Sequence, residues 1–438
     1  MSVIVDISKC GQETLETMNK DLNITITQKT KSNFKNQSNS YGKSVGKFVY
    51  LSPYRVQLNL AFIPFSYAIK KFNYKPQIHP SKNNFDFTGN LRPEQKQVRN
   101  EALELLNKQY SCVISTHVGF GKSILATYFM CKIRLKTLII VNRLVLIQQW
   151  IEVLNRFIKE PKVFVIKPNQ VIDWNNDFFI VNAINLPKIG YTPEIGLVVV
   201  DELHLIVSKV ISTCFQYLTP NYMIGLSATP YRPDGLDVLI NLYFGEERID
   251  RQLYREHHVF VIKTNFTPHQ KLVNGSVDWN DILTQQSLDE ERNDLIIDTV
   301  MKIYQQRTGI LILCKRVEQI KIFQDRFEKI FEKLENDVDV ECLYGDRQPQ
   351  PLLDSRVKKI LIGTIQKVGT GFDAPYLDTL VIAADVEEYF IQYLGRVFRR
   401  QDTLPCIYDF VDNNNILQKH FNTRKKTYVK HGGVIMKK

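Results

Sequence analysis

The sequence predicts an α/β protein built from two tandem units, each a parallel sheet with crossover helices. From Leu91 onward, short apolar runs alternate with stretches of helical periodicity, and the same alternation returns after about residue 295. Such alternation is typical of strands that are buried on both faces of a parallel sheet. The 438-residue length and the 44% hydrophobic content are sufficient for two or three domains.

Each apolar run has the length of one strand. The runs of the first unit are SCVIST, TLIIVN, VFVI, FFIVNA, IGLVVVDE and YMIGLSAT, and those of the second are GILILC, DVECLYG, KILIGT, TLVIAA and CIYDFV. The residues before the first unit have short β-like runs around a stretch rich in Ser, Asn and Lys. We therefore expect a small basic N-terminal domain over 1–90, a first unit over 91–245, a connecting region over 246–294, a second unit over 295–412 and a basic tail over 413–438.

Basic residues concentrate in two flanks of the chain. The formal net charge is +11, and the isoelectric point is about 9.1. Ten Lys or Arg and no Asp or Glu lie between Leu22 and Phe85, and seven Lys or Arg and no acid follow Asp412. This surplus favours a polyanionic partner, and we expect the flanks to contact nucleic acid. Solvated ends that aid solubility are the alternative.

The remaining composition argues against several classes of protein. The seven Cys are odd in number and form no C-x-x-C pair, which argues against a disulfide framework or a zinc site. No apolar run is long enough to cross a bilayer, and the first residues lack the pattern of a signal peptide. We therefore expect an intracellular, soluble protein without a membrane partner.

A phosphate-binding loop is predicted at THVGFGKS, Thr116 to Ser123, between an apolar run and a helical stretch. Gly119 and Gly121 allow backbone N–H groups to close around phosphate oxygens, and the helix N-terminus adds positive potential. We expect Lys122 to reach the β- and γ-phosphates of ATP and the Ser123 hydroxyl to bind Mg²⁺. Thr116 replaces the first glycine of the strict motif, so a glycine-rich turn with an exposed lysine is the alternative.

Two acidic residues follow the apolar run IGLVVV. Asp201 stands where a strand-end carboxylate can hold Mg²⁺, and Glu202 can orient or deprotonate the attacking water. Two surface acids at a strand end are the alternative. Ser227 and Thr229 follow the run YMIGL and can couple the Mg²⁺ site to the second unit, although SAT alone is a weak motif.

Two arginines near the end of the second unit resemble arginine fingers. Gln392, Arg396 and Arg399 lie in QYLGRVFRR, where the arginines share one face if the segment is helical. Two arginines on one face can bind the γ-phosphate across a cleft and stabilise transition-state charge. A solvated basic helix face is the alternative.

These motifs, in this order, resemble superfamily 2 helicases of the DExH type, from about Leu91 to about Asp409. The nearest likeness is the XPB-like DNA helicase and translocase group, which includes the poxvirus transcript-release helicase. The resemblance implies two RecA-like domains, ATP hydrolysis, and movement along DNA with 3′ to 5′ polarity. His117 and Val118 depart from the usual phosphate-binding loop, and the 369–372 segment departs from XPB itself, which leaves the subgroup open.

The resemblance also implies several binding residues. LRPEQ matches a block whose Gln contacts adenine, here Gln95, and VNRLVLIQQW matches a block that grips the nucleic-acid backbone, here through Arg143 and Gln149. GTIQKVGTGFDAP matches a block in which Thr364 contacts nucleic acid and Asp373 lies near the ribose.

Competing functions are separated by which motifs are present. An RNA helicase, or a translocase associated with RNA polymerase that unwinds little, is the alternative within enzymes. A non-hydrolysing nucleic-acid clamp has no need for both halves of a bipartite ATP site, and a P-loop kinase or GTPase needs no second unit. The Asn- and Lys-rich composition favours a large cytoplasmic DNA virus as the source, with a viral factory or virion as the location and the transcription machinery as a partner.

Overall fold

The computed structural model describes residues 1–28, 47–76, 85–117, 119–190, 192, 194–208, 213–228, 235–273, 276–345, 358–369, 374–386, 390–400 and 402–436. The chain forms two compact units, and the boundary between them lies after Arg251.

The first unit contains a parallel sheet and a smaller antiparallel region. Its strands are β1 (Ser2–Asp6), β2 (Ile24–Gln28), β3 (Lys47–Leu51), β4 (Arg55–Gln57), β5 (Leu60–Pro64), β6 (Ser111–Thr116), β7 (Thr137–Val141), β8 (Val163–Ile166), β9 (Phe178–Asn182), β10 (Leu197–Val200), β11 (Tyr222–Ser227) and β12 (Arg248–Arg251). Its helices are α1 (Gln12–Leu22), α2 (Phe65–Phe72), α3 (Pro93–Gln109), α4 (Lys122–Ile133), α5 (Leu144–Phe157), α6 (Leu203–Ile206) and α7 (Asp237–Phe244), with short 3-10 helices at Ile7–Lys9, Ala183–Lys188 and Phe215–Tyr217.

The parallel sheet of this unit is covered on both faces. Among the described strands its order is β12-β6-β11-β10-β7-β9-β8. Val198 and Val200 of β10 belong to one hydrophobic core, whereas Leu197 and Val199 belong to another. Successive side chains of a strand point to opposite faces, so the two cores lie on the two sides of the sheet. This explains why its strands are continuous apolar runs.

The described part of the N-terminal region packs into the first unit and shares its core. β5 pairs with β1 and β4 in an antiparallel sheet, and β2 pairs with β3 in a two-stranded ribbon. Ala61 and Ile63 of β5 are fully buried in the same core as Val198. The described residues of the small basic domain expected over 1–90 therefore share the core of the first unit, because short strands of this kind need a larger apolar surface to pack against.

The second unit contains another parallel sheet. Its strands are β13 (His257–Lys263), β14 (Leu272–Val273), β15 (Ser276–Val277), β16 (Ile310–Cys314), β17 (Val340–Leu343), β18 (Ile360–Thr364), β19 (Thr379–Ile382), β20 (Cys406–Val411) and β21 (Gly433–Met436). Its helices are α8 (Trp279–Leu288), α9 (Glu290–Tyr304), α10 (Val317–Lys333), α11 (Ile365–Gly369), α12 (Phe390–Val397) and α13 (Asn415–Lys430). Within the described chain the sheet order is β17-β18-β16-β19-β20-β13-β21, and β14 and β15 form a separate pair.

The structure differs from the expected boundaries in two places. The expected connecting region, 246–294, supplies β12 to the first sheet and β13 to the second, where β13 lies between β20 and β21. The expected basic tail forms α13 and β21. Tyr428 of α13 is fully buried, and Arg424 forms a buried ion pair with Asp409 of β20. Both segments are rich in charged residues, so their amino-acid composition does not indicate that they contain buried strands and helices.

The described residues contain no helix that is long and apolar enough to span a membrane. The same part of the chain has no cluster of three or more His, Cys, Asp or Glu side chains arranged to hold a metal ion.

Candidate active site

The turn between β6 and α4 carries the predicted phosphate-binding loop. Gly119 and Gly121 have φ angles of +84° and +89°, in the left-handed region that favours glycine. The Lys122 Nζ donates to the Thr116 carbonyl at 2.9 Å and to the His117 carbonyl at 3.3 Å. The loop is therefore curled around its own lysine, and Ser123 is the second residue of the helix that follows.

The N-terminus of α3 buttresses this loop. Gln95 is buried; its Nε2 donates to the Phe120 carbonyl at 2.8 Å, and its Oε1 accepts from the Arg92 backbone N–H at 2.9 Å. A Cβ atom at Gly121 would overlap the Gln95 amide. The Arg92 guanidinium donates to the carbonyls of Gly119 and Phe120. Gln95 thus lies beside the loop, and its contact with adenine stays a prediction. Arg92 was missed, although it lies in the LRPEQ block.

The end of β10 places a buried carboxylate near the loop. The Trp150 Nε1 donates to Asp201 Oδ2 at 2.9 Å, and the Glu202 backbone N–H donates to Oδ1 at 3.0 Å. Burial, and then the neighbouring Glu202 charge, raise the pKa of Asp201 to about 6, while the Trp150 hydrogen bond and the Lys122 charge act to lower it.

Glu202 is held in an uncommon backbone conformation. Its φ and ψ are +47° and +53°, and its Oε2 lies 3.6 Å from the His204 Nδ1. That nitrogen is 2.9 Å from the Ser227 Oγ at the end of β11, and both side chains are buried. Among the described residues Glu202 Oε2 has no hydrogen-bond partner. The contact between His204 and Ser227 thereby connects the segment after β10 to the end of β11. Thr229 lies outside the described residues. No role had been predicted for His204.

The donor set at this edge fits a nucleotide with Mg²⁺. β6 and β10 flank β11, so the loop after β6 and Asp201 after β10 share the carboxyl edge of the sheet. Mg²⁺ prefers hard oxygen ligands, and Ser123 and Asp201 supply a hydroxyl and a carboxylate oxygen. The buried Thr116 Oγ1 has no partner within the described part of the chain.

α5 contains or adjoins the predicted nucleic-acid contacts Arg143 and Gln149, and its Trp150 donates to Asp201. Arg143 is the residue that caps the N-terminus of α5, directly after β7. Gln149 lies one residue before Trp150 and is half-buried. Because β7 pairs with β10, the start of α5 lies at the same edge of the sheet as Asp201. Trp150 was also missed, since a tryptophan in an amphipathic helix looks like an ordinary core residue.

Three of the predicted residues of the second unit lie at the end of β18 and in α12. Thr364 is the last residue of β18 and directly precedes α11. Its Oγ1 accepts a hydrogen bond from the Lys367 backbone N–H, in the first turn of α11, at 3.3 Å. Gln392 and Arg396 are buried in α12, and the Arg396 Nη2 donates to the Gly369 carbonyl at 3.2 Å. Asp373 lies outside the described residues.

Arg399 is positioned by a loop and not by helical spacing. α12 ends at Val397, so the helical condition under which Arg396 and Arg399 would share one face is not met at Arg399. The Arg255 guanidinium donates to the Phe398 carbonyl and to the Thr403 carbonyl, both at 2.6 Å. These bonds fix the residues around Arg399, whose pKa is lowered by burial.

Comparisons with known proteins show the family to which the chain belongs. A family model described as the res subunit of type III restriction enzymes matches residues 88–232. A protein of Invertebrate iridescent virus 6 named "Putative helicase 161L" is 43% identical over 403 residues, which cover 86% of this chain and 89% of the relative. The chain belongs to the superfamily 2 helicases.

The chain is also similar to a viral transcript termination protein and to a solved helicase structure. "Transcript termination protein A18" of Ectromelia virus is 26% identical over 354 residues, or 72% of this chain and 69% of that protein. The solved structure of S. cerevisiae Dbp5 bound to RNA and ADP BeF3 has a TM-score of 0.53 and 15% identity, and the match covers 79% of this chain and 94% of that one. The expected fold of tandem RecA-like domains is confirmed, and the helicase is an ATP-hydrolysing enzyme.

Proposed function

We propose that this helicase is an ATP-driven DNA translocase of the XPB-like group, moving 3′ to 5′ along one strand and acting with the transcription machinery. The observation that carries the proposal is that the loop around Lys122 and the Asp201 and Glu202 carboxylates lie at the same carboxyl edge of the first sheet. The motif order and the similarity to the transcript termination protein support the XPB-like group and the transcriptional role.

The residues of the first unit have separate roles in this proposal. Lys122 exchanges its bonds to loop carbonyls for the β- and γ-phosphates of ATP, and the N–H groups of the loop bind phosphate oxygens. Ser123 and Asp201 hold Mg²⁺, which neutralises phosphate charge. Glu202 orients the attacking water and accepts its proton, because its Oε2 has no other hydrogen-bond partner among the described residues. Gln95 contacts the adenine.

The residues of the second unit complete the reaction in this proposal. Arg396 and Arg399 stabilise charge on the γ-phosphate, Gln392 supports them, and Asp373 lies near the ribose. Ser227 and Thr229 couple the γ-phosphate region to movement of the second unit.

Nucleic acid is held mainly through its backbone in this proposal. Arg143 and Gln149 of the first unit and Thr364 of the second contact one strand, so binding tolerates many sequences and weakens with salt. In this proposal the two units close when ATP binds and open after hydrolysis. The nucleic-acid contacts of the first and second units therefore advance alternately along the strand.

Glu202→Gln tests the assignment. We expect nucleotide binding to persist while ATP turnover falls by about 100-fold or more, since the variant cannot accept the proton of the attacking water. Glu160→Gln is the matched control, because Glu160 is exposed and has a similar φ of +49°. Turnover of Glu202→Gln within twofold of the wild type would contradict the proposal.

ATPase stimulation by single-stranded DNA, duplex DNA and RNA, measured in parallel, tests the substrate. We expect the strongest stimulation by single-stranded DNA and displacement of a strand only from substrates with a 3′ overhang. Stimulation by RNA alone would instead identify an RNA helicase, and stimulation without displacement would identify a translocase that unwinds little.

A further inference from the structure

The ribbon of β2 and β3 carries two exposed aromatic rings. Phe48 and Tyr50 are 59% and 69% exposed, although both lie inside a strand. They are two residues apart and therefore share one face of the ribbon. Thr25 is paired with Tyr50 in register and is also exposed. This face, defined by Phe48, Tyr50 and Thr25, is the aromatic face below.

The opposite face of the ribbon anchors it to the first unit. Leu51 is buried, and Ile24, Ile26 and Val49 pack against the hydrophobic core that also contains the β10 residues. A Cβ atom added at Gly235 would lie 3.0 Å from the Ile26 Cγ2. Gly235 belongs to the segment between β11 and α7. The ribbon is therefore a fixed part of the ATP-binding unit, and its aromatic face points away from the core.

We propose that the aromatic face is a stacking site for bases of single-stranded nucleic acid. Side chains two residues apart on a strand are separated by roughly 7 Å, about twice the ~3.4 Å rise between stacked bases. One base fits between rings at this spacing, or two neighbouring bases stack on one ring each. Exposed aromatics on an antiparallel sheet are a recurrent means of binding single strands.

The basic sequence that carries the aromatic face favours a polyanion as the occupant. The stretch from Leu22 to Phe85 has ten Lys or Arg and no acid, which complements a polyanion. Polar groups border the rings: the Ser52 hydroxyl donates to the Asn23 side chain at 2.7 Å. The inference rests on the proposed function, because it assigns a second contact to the same strand.

The test is the Phe48→Ala/Tyr50→Ala double variant in the full chain. We expect affinity for single-stranded DNA, measured by fluorescence anisotropy, to fall about tenfold or more, because base stacking on an aromatic ring is lost. The slope of log affinity against log salt should stay unchanged, because no phosphate contact is removed. Phe48→Trp/Tyr50→Trp should retain the affinity, since stacking is preserved. The same series on RNA shows whether the face distinguishes the two nucleic acids.

Leu58→Ala is the matched control, because Leu58 is 91% exposed in the neighbouring β4–β5 turn but carries no ring. Unchanged affinity of the double variant for both nucleic acids, with wild-type binding intact, would overturn the inference and leave the proposed function standing. A wild-type protein that neither binds nucleic acid nor shows ATPase stimulation would instead overturn the proposed function. The basal ATPase rate of the double variant should equal that of the wild type.

Discussion

Trp150→Phe should weaken the proposed Mg²⁺ site while leaving the fold intact. The substitution keeps a buried ring in α5 but removes the N–H that donates to Asp201 Oδ2 at 2.9 Å. A hydrogen bond to a charged group contributes ~1.5–3 kcal/mol, and each 1.36 kcal/mol corresponds to a factor of about ten. We therefore expect the Mg²⁺ concentration for half-maximal ATPase activity to rise roughly 10- to 150-fold, as measured by titration at saturating ATP.

The pH dependence provides a second measurement on the same variant. Asp201 must be ionised to hold Mg²⁺, and its pKa is raised to about 6, mainly by burial. Activity is therefore lost as the pH falls through this value. The Trp150 hydrogen bond lowers that pKa, so its removal should shift the loss of activity to higher pH.

Leu154→Ala is the control, because Leu154 is fully buried one turn further along α5. It removes packing from the helix and leaves the bond between Trp150 and Asp201 in place. The reasoning would be refuted if Trp150→Phe showed the Mg²⁺ dependence and acid limb of the wild type, or if Leu154→Ala reproduced both changes.

Three further substitutions test other parts of the structure. Arg399→Ala should lower kcat by about 1000-fold with little change in ATP affinity, whereas kcat of Arg400→Ala, which loses only an exposed ion pair, should stay within about threefold. Gly121→Ala should raise the Kd for ADP at least tenfold by calorimetry; Gly190→Ala, with a similar positive φ and open space around it, should not. Asp409→Asn should destabilise the second unit by ~3–5 kcal/mol in urea unfolding, because it breaks a buried ion pair; equal stability to the wild type would contradict this.

The sequence predicted those features whose physical cause lies within one short segment of the chain. A strand buried on both faces must be apolar throughout, so LVVV of β10 could be recognised, and the glycine pattern of the loop reflects its positive φ angles. The strand order and the second-sheet role of β13 could not be predicted, because pairing between distant strands leaves no local signal. β12 (RIDR) and β13 (HHVFVIK) contain charged or polar residues, so they lack the continuous apolar run by which the other strands were recognised.

The candidate site shows the same limit. Lys122 and the carboxylates after β10 were predicted because their motifs are contiguous in sequence. The contacts of Trp150 with Asp201 and of Arg255 with the Phe398 carbonyl join distant segments, so nothing beside either residue marks its role. A shared face for Arg396 and Arg399 depended on the segment being helical throughout, and the sequence did not show that α12 ends two residues before Arg399.

The place of β13 in its sheet determines when the second unit can finish folding during synthesis. Both edges of β13 are paired by later strands, and Cys406, the first residue of β20, follows the end of β13 by 143 residues. At ~5–20 residues per second this interval is roughly 7–30 s. During that time HHVFVIK offers two open edges, which favour pairing with other chains. Chaperone dependence of the nascent protein should therefore concentrate on the second unit, after the nucleotide-binding unit has already folded.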